Sequence, residues 1–390
     1  MHFDGPAGSQ VPERVARAVT DVLLHCNANE GGVFEASGRT EALWRDARHV
    51  FATFLGASDP DCVITGPSMT SLTFTMARSL AQTWRAGDEI VVTDLEHDAN
   101  VSPWLYAAEA AGVTVRRVGF SKPETRLDLD ELERVLSPRT RLVALSYASN
   151  ATGTVNPIRE VVKRAHGVGA LVYVDAVHYA PHGSIDVAAL GCDFLVCSAY
   201  KFFGPHISML WGRRALLESL PAEKVRPASA TLPTKWIQGT PPFEAIAGAA
   251  EGIRYIADLA RTPEDQGALR PALERSYQAI LSHEHTLMTR LLRGLGSLPG
   301  VRIWGITDPE AFAERVPTVS LTTDSHSTKD LAIHLAEAGI FVWSGHHYAV
   351  PVIERLGLGA SGTLRIGLLH YNTAAEVDRC LEVLEGALRR

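Results

Sequence analysis

The chain has 390 residues, 46% of them hydrophobic and 21% charged, a length beyond what one hydrophobic core ordinarily organises. This composition excludes general disorder, a collagen repeat and a disulfide scaffold. The formal net charge of −7, without any basic run, argues against nucleic acid as a partner, and no apolar run reaches the ~18 residues of a membrane span.

Residues 1–10 carry neither a basic region nor an apolar stretch, so no signal peptide is expected. The five cysteines, Cys26, Cys62, Cys192, Cys197 and Cys380, show no CxxC spacing. They read as reduced thiols of a cytoplasmic protein. From residue 61 to 212, short apolar runs alternate with helical patterns. Segments 62–65, 89–93, 113–118, 141–147, 170–175, 193–198 and 207–211 are rich in Val, Ile, Leu, Phe and Tyr and are bounded by turn residues, as strands are. Segments 127–136 and 158–168 repeat their apolar residues at helical spacing. This alternation predicts an α/β fold with a mostly parallel, seven-stranded sheet covered on both faces.

Residues 221–242, rich in Pro, Thr and Ser, read as a long irregular loop. Helices are predicted over 245–260, 274–298, 328–338 and 374–389, and strands over 318–322, 340–343 and 364–369. The expected organisation is a large α/β domain over 21–255 and a smaller α+β domain built from 1–20 and 256–390.

Parallel sheets bind ligands at the carboxyl ends of their strands, so the residues just after each strand are the candidates. One predicted strand ends at Asp175, and another runs into Ser198-Ala-Tyr200-Lys201. Burial at a sheet mouth lowers the pKa of an amine, as a nucleophilic lysine requires. Only six lysines exist, and the other five lie on a polar helix or in loops. On position alone, a solvated loop lysine explains Lys201 equally well. Three more strand ends lead into His97, Asn150 and Ser68-Met69, the last at the start of a predicted helix whose free N–H groups suit a phosphate. Singly these are ordinary turn residues. Together they place a phosphate cradle, a flat imidazole, an amide, a carboxylate and an amine at one edge, which is the set pyridoxal 5′-phosphate needs.

In combination, Glu96-His97-Asp-Ala-Asn100, Ser149-Asn150-x-x-Gly153, Val174-Asp175-Ala-Val-His178, Ser198-Ala-Tyr-Lys201, Gly239-Thr240-Pro241, Ser344-Gly-His346-His347 and Leu364-Arg365 resemble the fold-type I pyridoxal-phosphate enzymes of the class V aminotransferase and cysteine desulfurase group. The likeness runs over nearly the whole chain. It implies that Lys201 is the Schiff-base lysine, that Asp175 pairs with the pyridine nitrogen and that His97 stacks on the ring. Asn150 and His178 would lie near the phenolic oxygen, and Ser68, Met69 and Ser198 around the phosphate. Tyr200 stands where desulfurases carry a histidine. Thr240 would reach the phosphate of a neighbouring subunit, which implies a homodimer. Arg365 would clamp the carboxylate of a small amino-acid substrate. Trp104, Trp343, His346, His347 and Tyr348 would wall the substrate pocket, Trp104 reading equally as a plain core aromatic. The opening Phe3-Asp-Gly-Pro-Ala-Gly-Ser-Gln10 and the stretch 27–32 containing Asn29 resemble a desulfurase-like subgroup that lacks the sulfur-accepting cysteine.

One departure bears on the reaction. Where desulfurases carry a cysteine that accepts sulfur, this chain reads Gly345-His346-His347-Tyr348. A phenol has no redox-active sulfur and stays mostly protonated at neutral pH. The expectation is therefore not a persulfide-forming desulfurase but a C–S lyase. It would β-eliminate a thiol from cysteine or a cysteine S-conjugate and leave pyruvate and ammonia, with Tyr348 as a proton donor or as pocket lining. The alternatives are transamination, epimerisation or decarboxylative deamination of another amino acid, and, from a different class, a non-catalytic cofactor-binding scaffold.

Overall fold

The computed structural model describes residues 1–265 and 267–389. Seven strands form the large sheet: β1 (Val63–Gly66), β2 (Glu89–Thr93), β3 (Thr114–Val118), β4 (Thr140–Ser146), β5 (Leu171–Asp175), β6 (Phe194–Ser198) and β7 (Ser208–Gly212). Their spatial order is β1-β7-β6-β5-β4-β2-β3. Only β7 runs against its neighbours, pairing antiparallel with both β6 and β1. Since β1 opposes β7 and β7 opposes β6, β1 points the same way as the parallel strands. The carboxyl ends of β1, β2, β4, β5 and β6 therefore share one edge.

Alternation along each strand gives the sheet two buried faces. Val91, Val143, Leu145, Val172, Val174 and Leu195 face one core, closed by helices Glu35–Leu55, Ile158–Gly167 and Phe243–Asp258. Ile90, Val92, Leu142, Tyr173, Phe194 and Val196 face the other, closed by helices Met69–Ala81 and Ser102–Ala111. The predicted helix 127–136 forms as Leu129–Val135. Helix Glu13–His25 lies against Phe243–Asp258, where Arg14 bonds Glu251 and Asp258 at 2.5 and 2.7 Å. Residues 221–242 hold only the short 3₁₀ turn Thr234–Trp236. There Lys235 Nζ donates to the carbonyls of Leu217, Glu218 and Leu220 at 2.6–2.9 Å, satisfying the carboxyl end of helix Arg214–Ser219.

Four antiparallel strands, β8 (Val301–Trp304), β9 (Thr318–Thr323), β10 (Trp343–Gly345) and β11 (Thr363–Gly367), form a second sheet in the order β10-β11-β9-β8. Helices Thr328–Glu337 and Ala374–Leu388 cover it. Helix Leu269–Gly296 spans both cores: Leu273, Tyr277 and Ile280 pack with the large sheet, and Leu287, Leu291 and Leu295 with the small one. The strand predicted at 340–343 begins instead at Trp343, because Phe341 pairs with the N-terminus: Phe3 N–H donates to Phe341 O at 2.9 Å, and Gly367 N–H donates to Phe3 O at 2.7 Å. Helices Glu13–His25, Glu35–Leu55, Ser102–Ala111, Arg214–Ser219 and Val350–Leu356 and strand β8 were not expected from the sequence. Among the described residues, no helix is long and apolar enough to cross a membrane.

The turn after Asn150 depends on Gly153, which sits at φ +79° against the second sheet. A Cβ there would lie 2.6 and 2.7 Å from the carbonyl oxygens of Thr318 and Val316. Only glycine meets both demands. Gly153→Ala is expected to destabilise the protein by at least ~2 kcal/mol, from the strained φ and the displaced backbone together. Urea unfolding of the two proteins measures it.

Candidate active site

One cavity of about 360 Å³ opens where the carboxyl edge of the large sheet meets the small sheet. Ser68, Met69, His97, Asn150, Asp175, His178, Ser198, Tyr200, Lys201, Trp343, His347, Tyr348 and Arg365 line it, with Thr70, Pro6 and Ala7. The large sheet contributes through strand register. Asp175 ends β5 opposite Ser146 of β4, and Ser198 ends β6 opposite Ser208 of β7. The small sheet contributes Arg365 from β11, held in register between Trp343 of β10 and Ser320 of β9.

Lys201 follows β6 in a 3₁₀ turn, Ala199–Lys201. Its ammonium donates to Pro6 O and lies 4.8 Å from the centroid of the Tyr200 ring. The Tyr200 ring itself stacks on His206. Burial, reinforced by Arg365, pulls the Lys201 pKa down to about 7, while Asp4 and Asp175 oppose the shift. Asp175 is buried and accepts one hydrogen bond, from Val177 N–H at 2.9 Å. Burial pushes its carboxyl up to about 6. A buried carboxylate with a single neutral donor is underpaired, and a cationic N–H is the partner that suits it.

His97 Nδ1 accepts the N–H of Ala99 at 3.0 Å, so the neutral ring carries its proton on Nε2. Burial lowers its pKa to about 4. Beneath it lies Glu96, fully buried, which accepts from Thr93 Oγ1, Asn100 Nδ2 and Ser146 N–H at 2.5, 2.7 and 2.9 Å. This network fixes the turn that presents His97. The His178 ring bonds Thr318 Oγ1 through Nε2 at 2.9 Å and meets His182 edge-on, and His182 bonds the buried Glu284 at 2.9 Å. Burial and the neighbouring cations hold the His178 pKa well below the usual histidine range.

Ser68 caps helix Met69–Ala81: its Oγ accepts from Ser71 N–H at 3.1 Å, and Ser71 Oγ accepts from Ser68 N–H at 3.3 Å. Met69 and Thr70 then lead the helix at the cavity wall, where N–H groups have no intrahelical acceptor. Ser198 Oγ lies 2.7 Å from Ser208 Oγ on the same side chain layer.

Residues 346–348 form a tight turn. His347 and Tyr348 both adopt positive φ, 53° and 54°. Hydrogen bonds hold the turn: Asn150 Nδ2 donates to His347 O at 2.8 Å, Asp98 N–H donates to Tyr348 O at 2.7 Å, and the buried His347 ring bonds Thr363 Oγ1 at 2.9 Å. The exposed Tyr348 ring is thereby held parallel to His97, with centroids 5.6 Å apart and planes 13° apart. Three atoms of this wall are buried without a partner: Asn150 Oδ1, His347 Nδ1 and Arg365 Nε. Orphaned polar atoms around an amine and an underpaired carboxylate are what a polar bound group would satisfy.

Asn29, Thr240 and His346 do not join this cavity. All three are exposed, Asn29 before helix Glu35–Leu55 and Thr240 in the loop anchored by Lys235. Trp104 does not line it either, its side chain being fully buried in the core closed by helices Met69–Ala81 and Ser102–Ala111. In the other direction, no site role was assigned from sequence to Asp4, Pro6 or Thr318, although the opening 3–10 carries the subgroup resemblance. Asp4 Oδ1 accepts from Arg365 Nη2 at 3.2 Å, and Arg365 Nη1 donates to the backbone oxygen of Asn150 at 3.0 Å. The opening Phe3-Asp4-Gly5-Pro6 holds no pattern that places it at a site hundreds of residues away in sequence. The cysteines are all buried, and none lines the cavity.

The description "Aminotransferase class-V" matches residues 1–380. The chain belongs to the class V aminotransferase family. A probable cysteine desulfurase of Streptomyces coelicolor is 34% identical over 99% of this chain and 91% of its own length. An aminotransferase-like protein of Gibberella zeae, FGM3, is 33% identical over 99% of this chain and 94% of its own. Among solved structures, the apo cysteine desulfurase of Thermococcus onnurineus superposes with a TM-score of 0.89 at 28% identity, covering all of this chain and 94% of that one. Class V aminotransferases and cysteine desulfurases are fold-type I enzymes that use pyridoxal 5′-phosphate, and the amine, the underpaired carboxylate and the orphaned polar atoms of this family member's cavity fit that cofactor.

A lysine pKa near 7 has a direct consequence. In cofactor-free protein, competitive acetylation should label Lys201 with a midpoint near pH 7, since the reactive free amine appears as pH rises through the folded-state pKa. A midpoint near the ordinary lysine value of ~10.4 would show that the cavity does not desolvate it.

Proposed function

We propose that this class V aminotransferase-family enzyme is a C–S lyase that β-eliminates a thiol from cysteine or a cysteine S-conjugate. The observation that carries this reading is that Tyr348, and no cysteine, stands in the cavity wall. The buried thiols of Cys62 and Cys192 are pushed up to about 12, and Cys197 is buried within β6. A persulfide needs a reactive thiolate beside the substrate sulfur. Without one, the sulfur leaves as a thiol rather than passing to the protein.

Lys201 would bind the cofactor, Asp175 would face its ring nitrogen, and His97 would lie against its ring. Asn150 and His178 would serve its phenolic oxygen, and Ser68, Met69 and Ser198 its phosphate. Thr240 would reach across from the second copy of a homodimer. Pyridoxal phosphate supplies the electron sink for a bond broken at the α-carbon. The protein's own groups choose which bond. Arg365 holds the substrate carboxylate by charge-assisted hydrogen bonds, which keeps that group in place and leaves the α-proton as the mobile one. Lys201 Nζ, with a pKa near neutrality, accepts that proton. The Cβ–S bond then breaks. The sulfur leaves with a proton as a thiol, and water converts the remaining three-carbon fragment to pyruvate and ammonia. Tyr348 and Trp343, both more than half exposed, line the mouth where an S-substituent would lie. The likeness to an aminotransferase-like protein favours transamination as the second reading.

Purified holoenzyme mixed with S-substituted cysteines should release thiol and pyruvate together, and Lys201→Ala should abolish both. Aldehyde and carbon dioxide instead would replace elimination with decarboxylative deamination, and a product formed only with added keto acid would replace it with transamination. Tyr348→Phe separates the two roles of that residue. As pocket lining, it should change kcat less than about threefold, whereas loss of a proton donor would cost ~10²-fold or more.

A further inference from the structure

The N-terminal segment is part of the cavity rather than a tail beside it. Phe3 is buried in the small-sheet core, Asp4 pairs with Gly367, Pro6 O accepts from Lys201 Nζ, and Ser9 N–H donates to Tyr200 O at 3.0 Å. This path delivers the carboxylate of Asp4 to the guanidinium of Arg365, with only 4% of the arginine side chain and 22% of the aspartate side chain exposed. Arg365 spends one N–H on Asp4 and one on the backbone oxygen of Asn150, while its Nε–H is buried without a partner. The guanidinium therefore keeps donors free for another acceptor, but its charge is already opposed from within the chain.

We infer that Asp4 is a specificity-determining residue: it shares Arg365 with the substrate carboxylate and so sets how strongly the site prefers an amino acid to an amine. This rests on the reading of Arg365 as the carboxylate clamp.

Two effects of Asp4 oppose each other. Its hydrogen bond steadies the guanidinium, which favours carboxylate binding. Its charge lies beside any second carboxylate on the same arginine, which disfavours it. The hydrogen bond is single and, at 3.2 Å, long. The repulsion acts across a few ångströms in a poorly screened pocket, where like charges interact strongly. Repulsion wins, so Asp4 weakens the clamp. Burial already raises the Asp4 carboxyl above the usual range despite Arg365, in keeping with an anion held where charge is costly. A weakened clamp also loosens the hold on a carboxylate product that has no amine.

The test uses holoenzyme and two probes that differ only in the carboxylate, S-methyl-L-cysteine and 2-(methylthio)ethylamine. Rapid-mixing titration of the cofactor absorbance gives a dissociation constant for each. Asp4→Asn is close in shape and removes the charge. It should raise the preference for the amino acid, read as the ratio of the two constants, by roughly tenfold, because any effect of Asp4 on Lys201 is common to both probes. Asp4→Glu, which restores the charge, should return the preference toward that of the native protein. A preference that is unchanged or reduced in Asp4→Asn would overturn the inference. Should that variant not retain the cofactor, Asp4→Ser takes the same test with the same expectation. Arg365→Ala is run alongside. If it leaves the preference intact, Arg365 is not the clamp and the underlying reading fails. If it abolishes the preference while Asp4→Asn changes nothing, only the role of Asp4 falls.

Discussion

Two basic groups, Lys201 and Arg365, and the carboxylate of Asp175 line one poorly solvated cavity, with the carboxylate of Asp4 against Arg365, and most of the local structure answers to the cost of keeping them there. A buried charge is tolerated only when paired and hydrogen-bonded. Asp4 opposes Arg365, and the carbonyl of Pro6 accepts from Lys201. Asp175 has least, one backbone N–H, and it is a carboxyl pushed upward as Lys201 is pushed down. The mismatch is useful. Groups satisfied completely within the chain would have little to offer a bound molecule, whereas Asp175, pushed up to about 6, and Lys201, pulled down to about 7, keep capacity for a partner.

Holding such groups still requires rigid surroundings. The large sheet supplies them through parallel strands whose ends fall on one edge, and Glu96 ties the end of β2 to β4 by accepting from Ser146. The small sheet approaches the same edge from the other side. Contact between the two is direct: Asn150 meets Arg365 and His347, His178 meets Thr318, and Gly153 packs on the Thr318 carbonyl. The positive φ of His347 and Tyr348 belongs to this joint. Such conformations persist only where surrounding bonds over-determine them, and here the carbonyls of both residues accept hydrogen bonds from the large-sheet side.

How much of this was legible depended on locality. Asp175, Ser198 and Lys201 could be read because each follows a buried strand within a few residues, and a parallel sheet collects strand ends by construction. The apolar runs located all seven strands of the large sheet to within a residue or two. The small sheet was read less well. Strand β8 is short and only partly buried, so its pattern is weak, and residues near 341 gave their pairing to the N-terminus rather than to β11. Helix Glu35–Leu55 mixes polar residues into its buried side, Ser37 and Thr40 among them, which blurs its periodicity. Asp4 was illegible for a deeper reason. Its role comes from a pairing with β11 across most of the chain, and no local pattern encodes a contact of that range.

Likeness to cysteine desulfurases extends over the whole fold, yet the groups that would carry sulfur are not distributed with it. A scaffold of this kind separates two tasks. On the proposed reading, the sheet edge would serve bond breaking at the α-carbon, since amine, carboxylate, imidazole and arginine line one cavity. The fate of a departing sulfur is decided elsewhere, on the turn at 346–348 reached from the small sheet. Replacing a thiol by a phenol on that turn leaves the first task untouched and removes the acceptor for the second. The turn itself is firmly held, with His347 and Tyr348 both in left-handed conformations fixed by hydrogen bonds from the large-sheet side. What the turn now presents is a flat aromatic ring parallel to His97 at the cavity mouth. On the proposed reading, and with Tyr348 as pocket lining, such a ring would meet the outer part of a substrate, and selectivity would rest on the shape of the group that sulfur carries.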